Sequence, residues 1–321
     1  MPPPPRVGPG SVLGERYRLG PELGRGGSAT VFLATDERLG GDCAVKVLHA
    51  TYHATGARRL EREARAAAAL YHPNVCLVTD FGWIDPATPY LVMERLVGRS
   101  LGERLHDEGP LPLHDTLEIA AQVLSVLQVA HAKGYVHRDI KPDNLFLVDV
   151  VGRPPLLKVL DFGVASSDCD DGLTELGTLV GTPSYMSPEQ AAAFPDIDGR
   201  ADLYACGVVL YECLSGAKPF TGATKVELLD RIIRGGPTPI IALRPDLPDH
   251  IARAIDKAMR VEPEARFKSS LEMIDVLEGR VELPAETWDE ETAAVTFEDA
   301  TERMTRFVKP DGVKMPPKLT R

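Results

Sequence analysis

The pattern of apolar and polar positions is mainly strand-like in the first part of the chain and mainly helical in the second. From Tyr17 onward, short apolar runs alternate with turn residues. They are Tyr17-Arg18-Leu19, Ala44-Val45-Lys46, Val75-Cys76-Leu77-Val78, Phe81-Gly82-Trp83 and Tyr90-Leu91-Val92-Met93-Glu94. Runs of this length between turn signals predict strands. One helical stretch interrupts them: residues 58–70 are rich in Ala, Glu and Arg, all good helix formers, and His72-Pro73-Asn74 closes the segment. Later the period lengthens. Leu117, Ala120, Ala121, Leu124, Leu127 and Ala130 recur at helical spacing, and Gly134 stands where a helix-ending glycine belongs. Leu156-Leu157-Lys158-Val159-Leu160 reads as one more strand. The apolar run over residues 203–214 carries Glu212 and falls short of the roughly 18 residues of a membrane span, so it predicts a buried helix. Thr224-x-x-Glu227 and Ser269-x-x-Glu272 precede periodic apolar runs and predict capping boxes.

Composition narrows the function classes. A chain of 321 residues, 44% hydrophobic, suffices for one two-lobed domain or two small ones. A net charge of −11 and a pI near 5.3 disfavour nucleic acid as the main partner. Cys43, Cys76, Cys169, Cys206 and Cys213 form no C-x-x-C pair, which argues against zinc and a disulfide framework and suits a reducing, cytoplasmic setting. Cys169 reads as an ordinary free thiol. The proline-rich start lacks a basic region followed by an apolar core, so it is no secretory signal, and residues 1–16 read as a disordered leader. Residues 281–321 are threonine-rich and first acidic. Phe297, Ala300, Met304 and Phe307 fall near helical spacing, so a short amphipathic helix and a disordered linker both stay open.

The chemistry sits in three stretches. His137-Arg138-Asp139-Ile140-Lys141-Pro142-Asp143-Asn144 fits H-R-D-x-x-x-x-N, and Asp161-Phe162-Gly163 follows at a distance that chance rarely supplies. Upstream, Leu23-Gly24-Arg25-Gly26-Gly27-Ser28-Ala29-Thr30-Val31 is a glycine-rich loop with Ala29 where a third glycine often stands, followed by Ala44-Val45-Lys46. Alone, the loop would be an ordinary hairpin turn and Lys46 a solvated strand lysine. Taken in order, the motifs resemble the bacterial serine/threonine protein kinases of the eukaryotic-like type over residues 17–280.

That resemblance implies an α+β, two-lobed protein kinase fold. A small β-sheet lobe with one helix (residues 17–95) would precede a larger, mainly helical lobe (residues 96–280), with ATP and Mg²⁺, or Mn²⁺, in the cleft. It implies Asp139 as acceptor of the substrate hydroxyl proton, Lys141 as a point charge beside the transferred group, and Asn144 and Asp161 as oxygen ligands for a hard cation. It implies Lys46 on the α- and β-phosphates, held by a glutamate of the helix over residues 58–70. Glu61 and Glu63 compete for that place and cannot share a helix face; the family pattern favours Glu63. Leu23, Gly24, Gly26 and Gly27 would close over the nucleotide. Val31, Ala44 and Phe146 would sandwich adenine, with Met93 as gatekeeper and Glu94 to Leu96 as hinge. The plain alternative for the adenine set is ordinary core.

Gly181-Thr182-Pro183-Ser184-Tyr185-Met186-Ser187-Pro188-Glu189 resembles the end of an activation segment. Thr182 would touch Asp139 and Lys141, Asp202 would hold the backbone of the Asp139 loop, and Glu189 would pair with Arg266. His137 is implied to be a packed residue and not a base. Arg138, directly before Asp139, marks kinases whose segment is ordered by phosphorylation; Thr178 is the favoured acceptor, then Thr174. Partners would be proteins with Ser or Thr acceptors, and a homodimer is left open. A pseudokinase scaffold would have lost Lys46, Asp139, Asn144 or Asp161. A small-molecule phosphotransferase usually lacks the peptide platform that residues 181–189 resemble.

Overall fold

The computed structural model describes residues 7–49, 54–86, 88–162 and 183–284. The first half is built on a six-stranded antiparallel sheet. Its strands are β1 (Val12–Leu13), β2 (Tyr17–Arg25), β3 (Ala29–Asp36), β4 (Asp42–Leu48), β5 (Val78–Asp85) and β6 (Thr88–Glu94), in the order β1-β2-β3-β4-β6-β5. One helix, α1 (Ala54–Ala69), interrupts it. Strand alternation gives the sheet two apolar faces. Tyr17, Leu19, Phe32, Val45, Val47, Tyr90 and Val92 pack together on one side. Leu48 and Leu91 meet Leu60 and Ala64 of α1 on the other.

Two expectations need correction here. The chain before Tyr17 is not all leader: Val12–Leu13 pairs with β2, and Val7 packs against the outer face of the sheet. Nor is Val75-Cys76-Leu77 a strand of this sheet. Val75 makes one isolated bridge to Val159, and Cys76 N–H donates to the Val159 carbonyl, so these two residues are stitched to the second lobe, while Leu77 bonds to Glu94 at the end of β6.

That lobe opens with β7 (Gly98–Ser100), which pairs with the hairpin β8 (Leu145–Val148) and β9 (Leu156–Val159) in a three-stranded sheet. A side chain at Gly98 would strike the Leu147 carbonyl, and φ there is +150°, so only glycine lets β7 lie this close. The helices are α2 (Leu101–Glu108), α3 (Leu113–Ala132), α4 (Pro188–Ala191), α5 (Arg200–Ser215), α6 (Lys225–Arg234), α7 (Ile240–Leu243), α8 (Asp249–Ala258) and α9 (Ser270–Leu277). Helix α5 is buried along nearly its whole length and forms the axis of a core shared with α3, α8, α9 and the β8–β9 hairpin. Among the described residues no helix is long and apolar enough to cross a membrane.

The caps at Thr224 and Ser269 are half boxes. Each hydroxyl accepts from the glutamate N–H three residues on, but Glu227 and Glu272 reach one residue further back, to the N–H of Ala223 and Lys268. Full boxes form instead at Ser100–Glu103 and Ser187–Gln190. The core extends past residue 280, since Leu283 packs against it. The remaining tail residues, with Trp288, Phe297, Ala300, Met304 and Phe307, lie outside the described residues.

Candidate active site

Lys46 sits near the end of β4, on the face that α1 covers. Its Nζ lies 2.9 Å from Glu63 Oε1 and 2.6 Å from Asp161 Oδ1. Glu63 is buried on α1, and the Lys46 side chain is only 12% exposed. Burial works against the Lys46 ammonium, but the two carboxylates outweigh it and hold its pKa above the ordinary lysine value. Burial also opposes ionisation of Asp161, yet Lys46 prevails and holds Asp161 down at about 2. Glu63 is pushed upward by burial, and the Asp161 charge adds to that push against Lys46. Two carboxylates thus compete for one cation, a poise that favours a further positive charge beside Asp161.

Glu61 lies on another face and pairs with Arg65 one turn on, exposed to solvent. If Lys46 holds ATP as the sequence resemblance implies, Glu63→Gln is expected to raise the KM for ATP and lower kcat strongly, while Glu61→Gln changes either by less than about twofold, as surface i,i+4 pairs contribute little. Equal effects in steady-state kinetics would contradict this placement.

The second cluster is built by the β8–β9 hairpin and the stretch before it. Asn144 ends a short turn, Pro142–Asn144, just ahead of β8, and Leu160 N–H donates to the Asn144 carbonyl at 2.8 Å, so Asn144 and Asp161 flank one end of the hairpin. Asn144 Nδ2 donates to the Asp139 carbonyl and to its carboxylate. Lys141 Nζ reaches both Asp139 oxygens, at 2.9 and 2.8 Å. The Asp139 carboxyl remains 39% exposed toward the cleft.

The backbone around this cluster is held in uncommon conformations. Arg138 and Asp161 have φ of +63° and +51°, a left-handed region that non-glycine residues seldom occupy. The surroundings enforce it. Buried Asp202, at the start of α5, accepts from His137 N–H and Arg138 N–H at 2.8 and 2.7 Å, and Gln190 Nε2 donates to the Arg138 carbonyl. His137 Nδ1 accepts from Asp139 N–H, so Nε2 carries the proton donated to the Leu160 carbonyl. Both ring nitrogens are committed to the backbone, and the ring packs against Phe162. Behind these, Glu189 and Arg266 form a buried two-pronged pair, both contacts 2.7 Å.

Most of the remaining predicted residues lie on strands of the two sheets. Leu23 and Gly24 end β2, Val31 lies on β3 and pairs with Lys46, Ala44 lies on β4 and pairs with Met93, and Phe146 is on β8. Gly24 and Gly26 are not demanded by the chain itself. A side chain at Gly24 would meet nothing within 4 Å, and one at Gly26 only the Ala29 carbonyl at 3.7 Å. Glu94 to Leu96 joins the lobes, and Glu94 is clamped from behind: Lys158 Nζ of β9 and Leu77 N–H both reach its Oε1 at 2.7 Å. Lys158 and His131, whose Nε2 lies 2.8 Å from Asp202, belong to no motif, and only the fold brings each to its carboxylate. Gly163, Cys169, Thr174, Thr178 and Thr182 lie outside the described residues.

The donor set is one of hard oxygens. The Asp161 carboxylate and the Asn144 side-chain carbonyl suit Mg²⁺ with phosphate oxygens completing its shell. Among the described residues no group of three or more His, Cys, Asp or Glu could hold a metal unaided.

The protein kinase domain model matches residues 17–277. This chain belongs to that family. It is 39% identical over 270 residues to the serine/threonine-protein kinase PknB of Mycobacterium tuberculosis, an alignment covering 82% of this chain and 42% of that protein. The chain thus spans less than half the length of this relative. Among solved structures it is similar to the PknI kinase domain of Mycobacterium tuberculosis, with TM-score 0.68, 28% identity and coverage of 86% of this chain and all of that one. It is also similar to Rad53 in complex with AMP-PNP, with TM-score 0.66, 26% identity and coverage of 81% of this chain and 64% of that one. The architecture is the two-lobed protein kinase fold, a β-sheet lobe followed by a helical lobe.

Proposed function

We propose that this kinase-family chain is an ATP-dependent serine/threonine protein kinase. The observation that carries the reading is the buried Lys46 ammonium between Glu63 and Asp161, facing the Asp139–Lys141–Asn144 cluster across the interlobe mouth. The arrangement supports ATP as donor, with Lys46 drawing on the α- and β-phosphates, Glu63 holding it there, and the sheet above covering the nucleotide. Asn144 and Asp161 would hold Mg²⁺, which when bound neutralises phosphate charge.

In the transfer, the oxygen of a protein Ser or Thr hydroxyl bonds to the γ-phosphorus as the bond to the ADP oxygen breaks. Asp139 takes the hydroxyl proton, and Lys141 offsets charge on the transferred group and orients the Asp139 carboxylate. Lys141 two residues after Asp139 favours Ser and Thr acceptors over Tyr. Four described cysteines, all free, suit a reducing cytoplasmic setting.

The reading extends to regulation. A phosphothreonine at Thr178 or Thr174 carries about −1.5 to −2 charges, which a guanidinium can grip in two places. Arg138 has that guanidinium, on a backbone fixed by Asp202. Intact-mass and fragment spectra after incubation with Mg-ATP are expected to show phosphate on Thr178 or Thr174, and the double alanine variant is expected to lose activity. A fully active double variant would contradict the regulatory part.

A further inference from the structure

The glycine-rich turn between β2 and β3 is tied down by a residue that none of the motifs includes. His49 follows the last residue of β4, three positions after Lys46. Its backbone N–H donates to the Ser28 carbonyl at 2.8 Å. Its ring lies with Nδ1 3.2 Å from the Gly27 carbonyl and Nε2 2.9 Å from Thr30 Oγ1. A carbonyl can only accept, so Nδ1 carries a proton and donates it. Thr30 is buried on β3, so the far end of the ring is anchored to a fixed point. Gly26 N–H donates to the Ala29 carbonyl and closes the turn from the other side.

The consequence follows from peptide geometry. In a planar trans peptide the carbonyl and the next N–H point in opposite directions. Holding the Gly27 carbonyl against His49 therefore aims the Ser28 N–H away from His49. The Ser28 carbonyl meets the His49 backbone N–H within the plane of the sheet, so the Ala29 N–H stays in that plane, on the side of Gly26. Strand parity gives the sides. Lys46 and Leu48 of β4 face α1, Glu63 and the interlobe mouth, whereas Val45 and Val47 face the outer cluster. His49 continues the outer parity, so the Ser28 N–H, opposite the Gly27 carbonyl that the ring holds, turns toward the Lys46 side. Without the ring, only the loose backbone preferences of Gly27 hold that peptide on its Gly27 side.

We propose that His49 is a positioning residue that pre-orients the Gly27–Ser28 peptide as a donor for the phosphates of a nucleoside di- or triphosphate. The proposal rests on the nucleotide-binding reading given above. His49 acts through the backbone and touches no reacting atom.

The test is a set of three variants, with binding measured by calorimetry on the full chain. The ligands are ATP with Mg²⁺, ADP with Mg²⁺, and adenosine, which has no phosphate. His49→Ala is expected to weaken ATP and ADP about fivefold to tenfold, the size of one lost hydrogen bond, and to leave adenosine unchanged. KM for ATP should rise by the same factor while kcat stays within about twofold. Asparagine places an amide near the Nδ1 position and glutamine near Nε2. His49→Asn should therefore restore phosphate-dependent binding, and His49→Gln should not. Wild-type ATP affinity in His49→Ala overturns the proposal. So does an equal loss for adenosine, which would mean that the ring supports the lobe as a whole, or rescue by glutamine alone. Failure of the wild-type chain to bind ATP at all would instead remove the nucleotide-binding reading on which the proposal stands.

Discussion

Asp139→Asn is expected to lower the rate of phosphate transfer by about 10²–10⁴-fold, the range that general-base catalysis contributes. The side chain keeps its volume and one acceptor oxygen, so the hydrogen bond from Asn144 Nδ2 can persist. What is lost is the ability to take a proton. The fold should not notice. The Asp139 carboxyl is 39% exposed and its ion pair with Lys141 is half-screened, so removing the charge costs no more than about 1 kcal/mol. The variant should therefore melt within a few degrees of the wild type and bind ATP with similar affinity. Single-turnover rates with saturating ATP, set beside a thermal melt, check both halves. A rate within a factor of a few of wild type would remove Asp139 from the chemistry. A collapsed melt would mean that it is structural.

The opposite signature is expected at Glu189 and Arg266. Their side chains are 8% and 0% exposed, and the guanidinium also donates to the carbonyls of Arg200, Arg260 and Val261. One side chain thus satisfies a buried carboxylate and three backbone acceptors, and its plane lies over the Tyr204 ring. Truncating it leaves an uncompensated charge in the core. Arg266→Met is expected to cost about 3–5 kcal/mol of unfolding free energy, a large share of the roughly 5–15 kcal/mol that holds a domain folded. Glu189→Gln should cost less, because the amide oxygen still accepts one of the two bonds. Urea titrations followed by fluorescence measure both. A loss below about 1 kcal/mol for Arg266→Met would mean that the pair is solvated in solution.

These two results would separate what the motifs encode from what the fold encodes. The linear pattern makes Asp139, Asn144, Asp161 and Lys46 legible because transfer chemistry fixes both residue type and spacing. The strand and helix order is legible for the same kind of reason, since short apolar runs between turns dominate before Glu94 and helical spacing dominates after it. The failures are physical too. Val75-Cys76-Leu77 has strand composition, but Val75 and Cys76 meet Val159 of the other lobe. Val12–Leu13 is too short to give a periodic signal, yet it completes the edge of β2. Glu227 and Glu272 have capping-box spacing, but their side chains reach a neighbouring N–H instead. Lys158, His131 and His49 act only through partners far along the chain or through a ring orientation, and neither leaves a trace in a linear pattern.

Movement of the γ-phosphate of ATP to a protein hydroxyl is what all of these residues would serve. The most direct measurement is transfer of γ-labelled phosphate to the chain itself and to a generic protein substrate, followed by identification of the labelled amino acid. The account predicts label on serine or threonine, dependent on Mg²⁺ and on Asp139. It is contradicted if the wild-type chain binds ATP but transfers no label, or if the label appears only on a small molecule.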